Sequence, residues 1–594
     1  MKERRYSNKM LNVQNRKERS KKLKFSSLKL LFPYLRTHWK KVIIASILMI
    51  ILSLLALPTP YLMKYIVDDV ILAKNIKLLN LIIFLLIGIQ FFKLIFSFLT
   101  NYLFSVFNQE ILVKIKKDLF HRLLRLPLSF FDSQQTGYLL SRIGEVEGLG
   151  FFFSNSIVRI LIGILEFLFC LWILLYLNWR LTLISLIVIP FLYFATRFYS
   201  RSIRKTSREL MEKGANLSKR IQESLSGVEV IKSFSAEDRE TTKIHISLDE
   251  LKQTSIKRNI QFTISSEILS LIGALGGFIV LWYSGWKIIK GSFTIGTYIA
   301  FSAYLAKLYG PTQILANIGL TLQPAITTLN RVSELFELGE EGEEGIRVSK
   351  LTGEIEFRDV YFSYDSKKEG VLKGITLKIN PGDKILIAGP NGSGKSTIVK
   401  LILGLYKIDR GKITIDGHDI NTLSLSSLRE RISFVSQNVF LFNDTIRNNI
   451  LYSRPDASEM EVKEAAKLSG AHEFIMNLED GFNTPIGETG KKLSGGERKK
   501  ISIARAILKD SDIIIFDEAT SELDSESERR IEELITEHFK YRTCIIISHR
   551  AWRTNSLNRI YLLGDGRVLD QGSHDELSQR NPYYRELHRT QARS

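Results

Sequence analysis

The sequence predicts an α-helical transmembrane bundle of six spans fused to an α/β domain of the P-loop class. Three observations predict it. Six apolar segments of membrane-spanning length occupy the first 320 residues; short apolar runs alternate with helical segments from residue 354 onward; and one glycine-rich turn joins such a run to a helix. At 594 residues the chain is too long for one hydrophobic core. Its composition, 45% hydrophobic with 35 Phe and 24% charged, fits a membrane half averaged with an ordinary soluble half.

The six apolar segments cover residues 39–61, 78–104, 154–176, 181–199, 262–286 and 295–320. Each approaches the roughly 20 residues needed to cross hydrocarbon, and none shows the polar face of a soluble amphipathic helix. Connections after the first, third and fifth spans are short, whereas those after the second and fourth are long, basic and helical in pattern. A cytoplasmic N-terminus puts both long basic loops on the side that Lys and Arg prefer. The net charge of +20 follows the same geography, with 14 Lys and Arg in the first 41 residues. Residues 1–27 are expected to form a basic cytoplasmic tail that touches anionic membrane lipid, with no nucleic acid as partner. Cys170 and Cys544 lie in different halves, which argues against a disulfide framework or a cysteine metal site.

Four charges interrupt the spans: Lys93, Glu166, Glu267 and Lys307. Counted from the outer ends, Lys307 and Glu166 fall near mid-bilayer, Lys93 in the inner half and Glu267 at an interface. A charge in hydrocarbon needs a partner or a wet cavity. Lys93, Glu166 and Lys307 are therefore candidates for a substrate cavity, with a buried ion pair between helices as the alternative.

Gly389, Pro390, Asn391, Gly392, Ser393, Gly394, Lys395, Ser396 and Thr397 follow the apolar run 385–388 and open a helix. This is G-x-x-x-x-G-K-S in the strand, loop and helix order of a P-loop. Glycines let backbone N–H groups turn towards phosphates, Lys395 is placed to reach the β- and γ-phosphates, and Ser396 to ligate Mg²⁺. ATP and Mg²⁺ are the expected cofactors. Residues 513–518 read as a buried strand ending in Asp517, suited to the Mg²⁺ shell, and Glu518, placed to activate water.

Leu493-Ser494-Gly495-Gly496-Glu497 resembles the signature motif of ATP-binding cassette proteins, and the following stretch resembles that family's signature helix. Within the resemblance, Tyr364 corresponds to the aromatic that stacks on adenine and Gln437 to the Q-loop residue that contacts Mg²⁺. Glu488 matches the X-loop, Ser521-Glu522-Leu523-Asp524 the D-loop, and His549 the switch residue at the γ-phosphate. Phe130-Phe131-Asp132 with Thr136-Gly137 and Ser141-Arg142, and Glu223-Ser224-Leu225-Ser226-Gly227 with Lys232-Ser233-Phe234, resemble the two cytoplasmic loops of exporters in this family. A coupling helix is expected over residues 215–221. Glu497 departs from the family, where Gln is commonest.

The resemblance covers all but the N-terminal tail and is to bacterial half-transporter exporters of the type IV fold, relatives of lipid flippases, multidrug pumps and peptide exporters. It implies a transmembrane domain over 28–337, a linker over 338–353 and a nucleotide-binding domain over 354–594, in a multi-pass plasma-membrane protein whose cassette faces the cytoplasm. It also implies a dimer with ATP held between one P-loop and the other chain's Ser494-Gly495-Gly496, and with Glu518 and His549 in catalysis. The presence of both favours a homodimer over half of a heterodimer. The expected function is ATP-driven export of a lipid, hydrophobic drug or mature peptide. A DNA-organising ATPase would place long coiled coils between Lys395 and Ser494, and intact Glu518 and His549 argue against an ATP-gated regulator that moves nothing.

Overall fold

The computed structural model describes residues 25–134, 136–341, 345–365, 369–487, 490–520, 523–548 and 557–589. The chain divides into two compact units, one made of the residues up to Leu124 with Gly137–Leu338, the other of Arg125–Thr136 with Gly339–Ser594. Residues 125–136, assigned by sequence to the membrane domain, thus cluster with the cassette, where Asp132 accepts a hydrogen bond from the Tyr406 hydroxyl.

The first unit is helical, and the six expected spans fall on helix, the first broken by a bend at Leu57 between Trp39–Ala56 and Pro58–Tyr65. Four stretches among the described residues are long and apolar enough to cross a membrane: Trp39–Val70, Ile76–Leu124, Leu139–Leu186 and Glu237–Ile289. The segments 181–199 and 295–320 are helical too, the former passing through a turn at Ile187. Asn178 separates the third span from the fourth with non-helical φ −165° and ψ 102°. Its side-chain oxygen accepts from the Leu181 amide at 3.0 Å, and its carbonyl accepts from the Thr182 hydroxyl at 2.8 Å, so one short polar residue restarts the helix.

Helix Ile76–Leu124 has 49 residues, about 74 Å at 1.5 Å per residue, more than twice the hydrocarbon thickness. Its early part exposes Phe84, Phe91, Leu94 and Phe98, while its later part buries Phe104, Phe107, Ile111, Ile115 and Leu119 at helical spacing. The apolar stripe that suits lipid therefore gives way to one that packs against protein. The stretch expected to supply a coupling helix is continuous with the helix before it. Residues 215–221 lie inside the long helix Val188–Ser226, and the short separate helix is Val228–Ser233. Gly227 ends the long helix with its N–H on the Glu223 carbonyl at 3.0 Å, and Ser235, at φ +48°, ends the short one.

The second unit holds ten strands among the described residues. β1 (Ile355–Phe362), β2 (Leu372–Ile379), β4 (Arg410–Ile415) and β5 (His418–Asp419) form an antiparallel sheet in the order β2-β1-β4-β5. β3 (Lys384–Ala388), β6 (Ile432–Val435), β7 (Ile513–Asp517), β8 (Thr543–Ser548), β9 (Arg559–Gly564) and β10 (Arg567–Gly572) form the second, in the order β10-β9-β3-β8-β7-β6. Its pairs are parallel apart from β9 with β10. Both faces of this sheet are covered, which is why its central strands read as unbroken Ile runs. Alternate residues divide between two cores: Ile385, Ile387, Ile513, Ile515, Ile545 and Ile547 on one face, Leu386, Ile514, Phe516, Cys544 and Ile546 on the other. Cys544 is thus a core residue, with its thiol pushed up to about 12 by burial.

The helix Gly495–Lys509 packs on the second of these faces through Ile501, Ile503, Ala504 and Ile507. Ser494 caps it. The Ser494 hydroxyl accepts from the Glu497 amide at 3.3 Å, and the Glu497 carboxylate accepts from the Ser494 amide at 2.8 Å and its hydroxyl at 2.9 Å. This reciprocal box explains why Glu is at home at position 497. We expect Glu497→Gln, which keeps an acceptor for the Ser494 amide, to leave the cassette's melting transition within about 1 °C. Glu497→Ala, at a cost of about 1 kcal/mol, should lower it by roughly 2–4 °C in calorimetry of the full chain.

Candidate functional site

The P-loop connects β3 to the helix Lys395–Ile402. Gly394 sits at φ +99°, a left-handed backbone that favours glycine, and a Cβ there would have to displace Leu372 Cδ2, 2.5 Å away. Lys395 is 6% exposed, and its ammonium donates to the carbonyls of Gly389 at 2.8 Å and Pro390 at 2.9 Å. It curls over the loop that carries it. Burial pushes this ammonium below the usual lysine range, opposed by the Glu518 and Asp517 carboxylates.

β7 delivers those carboxylates. Asp517, 5% exposed, accepts from the Ser396 hydroxyl at 3.3 Å. Burial holds its carboxyl above the ordinary aspartate range, against the pull of Ser396, Lys499 and Lys395. Glu518 follows at φ +49°, a left-handed conformation that costs a non-glycine residue about 1–3 kcal/mol. Its amide stays on the Ile547 carbonyl at 2.9 Å, so the β7–β8 ladder enforces the turn. Gln437, just beyond β6, donates its side-chain amide to the Glu518 carboxylate at 2.5 Å. The structure therefore brings Lys395, Ser396, Gln437, Asp517 and Glu518 together at the ends of β3, β6 and β7.

Tyr364 lies beside the same loop, its hydroxyl 3.1 Å from Thr397 Oγ1 and its ring edge-on to Phe362 and Tyr406, with the Lys400 ammonium 5.1 Å from its centre. It is 46% exposed, available for a flat ligand. Ser494, Gly495, Gly496 and Glu497 sit apart at the start of their helix. Among the described residues no hydrogen bond joins them to Gly389–Thr397, with Ser494 exposed. His549, Glu488, Ser521 and Glu522 lie outside the described residues.

Two lysines were missed by the sequence reading. Lys499 is buried and donates to the carbonyls of Ser436 and Gln437. It falls at helical spacing with the buried Ser502, Ile503 and Ala506, a cation on an apolar stripe that could have drawn attention. Lys384 donates to the carbonyls of Gly382, Phe539, Lys540 and Arg542 and closes off the chain end of a helix, a structural task.

In the membrane unit, Lys307 donates to the Ala56 carbonyl and Glu166 accepts from the Ser53 hydroxyl at 2.6 Å. Both contacts fall on the helix Trp39–Ala56, one turn apart. The physical cause is Pro60: it lacks the N–H that a helix would direct at the Ala56 carbonyl, and Lys307 takes that acceptor. Tyr304, one turn before Lys307, donates to the Leu57 carbonyl at 2.6 Å. Among the described residues no ion pair joins Lys307 to Glu166. Lys93 is half-buried and within electrostatic reach of Lys307, whereas Glu267 is exposed.

Comparison with known proteins agrees with this geometry. Residues 42–312 match the family described as ABC transporter transmembrane region, and residues 372–521 match the one described as ABC transporter. An ATP-dependent lipid A-core flippase of Syntrophus aciditrophicus (strain SB) is 34% identical over 560 residues, covering 94% of this chain and 93% of its own. The flippase of the same name from Escherichia coli (strain K12) is 34% identical over 540 residues, covering 89% and 92%. A Bacillus subtilis (strain 168) protein provisionally named for multidrug export is 32% identical over 564 residues, covering 93% and 97%. Among solved structures, a bacterial Atm1-family ABC exporter with ATP bound aligns with a TM-score of 0.83 at 27% identity, covering 93% of this chain and 98% of that one. The chain belongs to the ABC transporter family, as a membrane half-transporter exporter that couples ATP hydrolysis to transport.

Proposed function

We propose that two copies of this chain form the working pump and move an amphiphilic lipid from the cytoplasmic to the outer side of a bacterial plasma membrane. The observation that carries the dimer is the separation just described: Lys395, Ser396, Gln437, Asp517 and Glu518 form one cluster, and the exposed cap at Ser494 makes no hydrogen bond to the P-loop among the described residues. A phosphate needs donors on several sides. Ser494, Gly495 and Gly496 of a second copy would supply the missing side.

In this reading Gly389, Pro390, Asn391, Gly392, Ser393, Gly394 and Thr397 wrap the phosphates with backbone and hydroxyl donors, and Tyr364 offers its ring to adenine. Lys395 exchanges its loop carbonyls for phosphate oxygens, and the loop amides hold the anion. Ser396 and Asp517 present hard oxygen donors in contact with each other, and Gln437, held on the neighbouring Glu518, would add a third; such a set suits Mg²⁺. Mg²⁺, when bound, would neutralise charge developing between the β- and γ-phosphates. Glu518 takes the proton of the attacking water, with Gln437 holding its carboxylate in place; His549 would meet the γ-phosphate.

For the substrate, Lys307 and Glu166 offer one cation and one carboxylate against the break in the first span, with Lys93 adding positive charge nearby. Such a set can hold a charged headgroup while the surrounding Phe, Leu and Ile accommodate acyl chains. The relatives named as lipid A-core flippases support a lipid over a peptide.

The purified chain alone, reconstituted in lipid, should hydrolyse ATP, and Glu518→Gln should slow turnover by at least about a hundredfold while retaining labelled ATP and accumulating as a closed dimer. Wild-type turnover by that variant would remove Glu518 from its role; inactivity of the wild-type chain alone would call for a second, different subunit. In inverted vesicles, a fluorescent lipid should become protected from an external quencher only with ATP. Lys307→Ala should lower the lipid moved per ATP hydrolysed by about tenfold, with Lys307→Arg restoring most of it. An unchanged ratio in both variants would place the headgroup elsewhere.

A further inference from the structure

Lys499 is 3% exposed on the signature helix, and its ammonium donates to the carbonyls of Ser436 at 3.1 Å and Gln437 at 3.0 Å. These are the first residues after β6, in neither strand nor helix, so no ladder sets their backbone. A cation out of water is costly unless its protons are taken. Around it Ile501, Ile503 and Ala504 fill the core with apolar groups, and packing alone would be served by another of these. What the ammonium adds is direction: it fixes two loop carbonyls that apolar contact would leave free to turn.

The two ends of this tie matter for the reaction. Gln437 carries the amide resting on Glu518 at 2.5 Å, and Ser494 caps the helix that carries Lys499. An α-helix transmits displacement along its axis as a rigid rod, with every backbone bond internal.

We infer that Lys499 is a positioning residue that fastens the Q-loop to the signature helix, so that the helix end offered to a second copy's nucleotide and the side chain resting on Glu518 shift as one body. Engagement of ATP by Ser494 in one site is then felt at Gln437 and Glu518 in the other site of the same chain. The inference rests on the site roles proposed above.

The test compares wild type, Lys499→Met and Lys499→Gln in the full-length reconstituted protein. Met fills the space without donors, whereas Gln restores two N–H groups without charge. Labelled-ATP retention, kcat and hydrogen exchange of the amides of residues 434–440 are read in each. Lys499→Met should retain ATP within about twofold, raise exchange across 436–438 by about tenfold and lower kcat by at least about tenfold; Lys499→Gln should recover most of both. Wild-type exchange and kcat in Lys499→Met would overturn the inference. So would equal loss of ATP retention in both variants, which would make Lys499 a packing residue. Glu518→Gln in the same assay separates the two readings: if it turned over normally while Lys499→Met did not, the role of Glu518 would fall and the tie to the loop would stand.

Discussion

A backbone carbonyl inside hydrocarbon has no water to turn to, and this constraint shapes the membrane unit more than any side-chain preference. Helices answer it by pairing every carbonyl within the same segment. Where Pro60 withholds its N–H, the pairing fails at Ala56, and a side chain from elsewhere must supply the proton. Lys307 does so, and Tyr304 adds a donor at the neighbouring Leu57 carbonyl. The helix Ile295–Phe336 is therefore held against Trp39–Ala56 by polar contacts between otherwise apolar segments. Any motion that parts these helices must first find the Ala56 carbonyl another donor.

The cassette obeys the same rule in water-excluded protein. Its parallel sheet buries both faces, so every polar group that a function requires must be delivered at strand ends, where ladders stop. β3 leads into the P-loop, β7 ends at Asp517 with Glu518 next, and β6 is followed two residues on by Gln437. Ile runs supply the rigidity and their termini the chemistry. Strain collects at the same edge: Glu518 holds a left-handed backbone because its amide remains in register with β8.

Buried cations recur through the molecule with a common logic. Lys384, Lys395 and Lys499 each give their protons to backbone carbonyls, and Lys307 does so within the membrane. A carbonyl is a neutral acceptor, so the ammonium keeps its charge available. At Lys395 that charge sits within the P-loop; at Lys384 it closes a helix end. Position decides which of these tasks a lysine performs, and one-dimensional spacing does not separate them.

From the sequence alone came the division into membrane and cassette halves, the six helical segments, the P-loop, the paired carboxylates and the family resemblance. These are written in local pattern, either as hydropathy over about 20 residues or as glycine and charge spacing next to a strand, because backbone geometry and solvent act on neighbours in the chain. Tertiary structure alone decided the rest. It placed the short helix at Val228–Ser233, set Ser53 and the Ala56 carbonyl against Glu166 and Lys307, and showed that Glu497 completes a capping box. It also brought Lys499 to the Q-loop across some 60 residues. A hydrogen bond between distant segments depends on packing that no window of sequence contains, and a broken helix reveals the break without revealing which side chain repairs it.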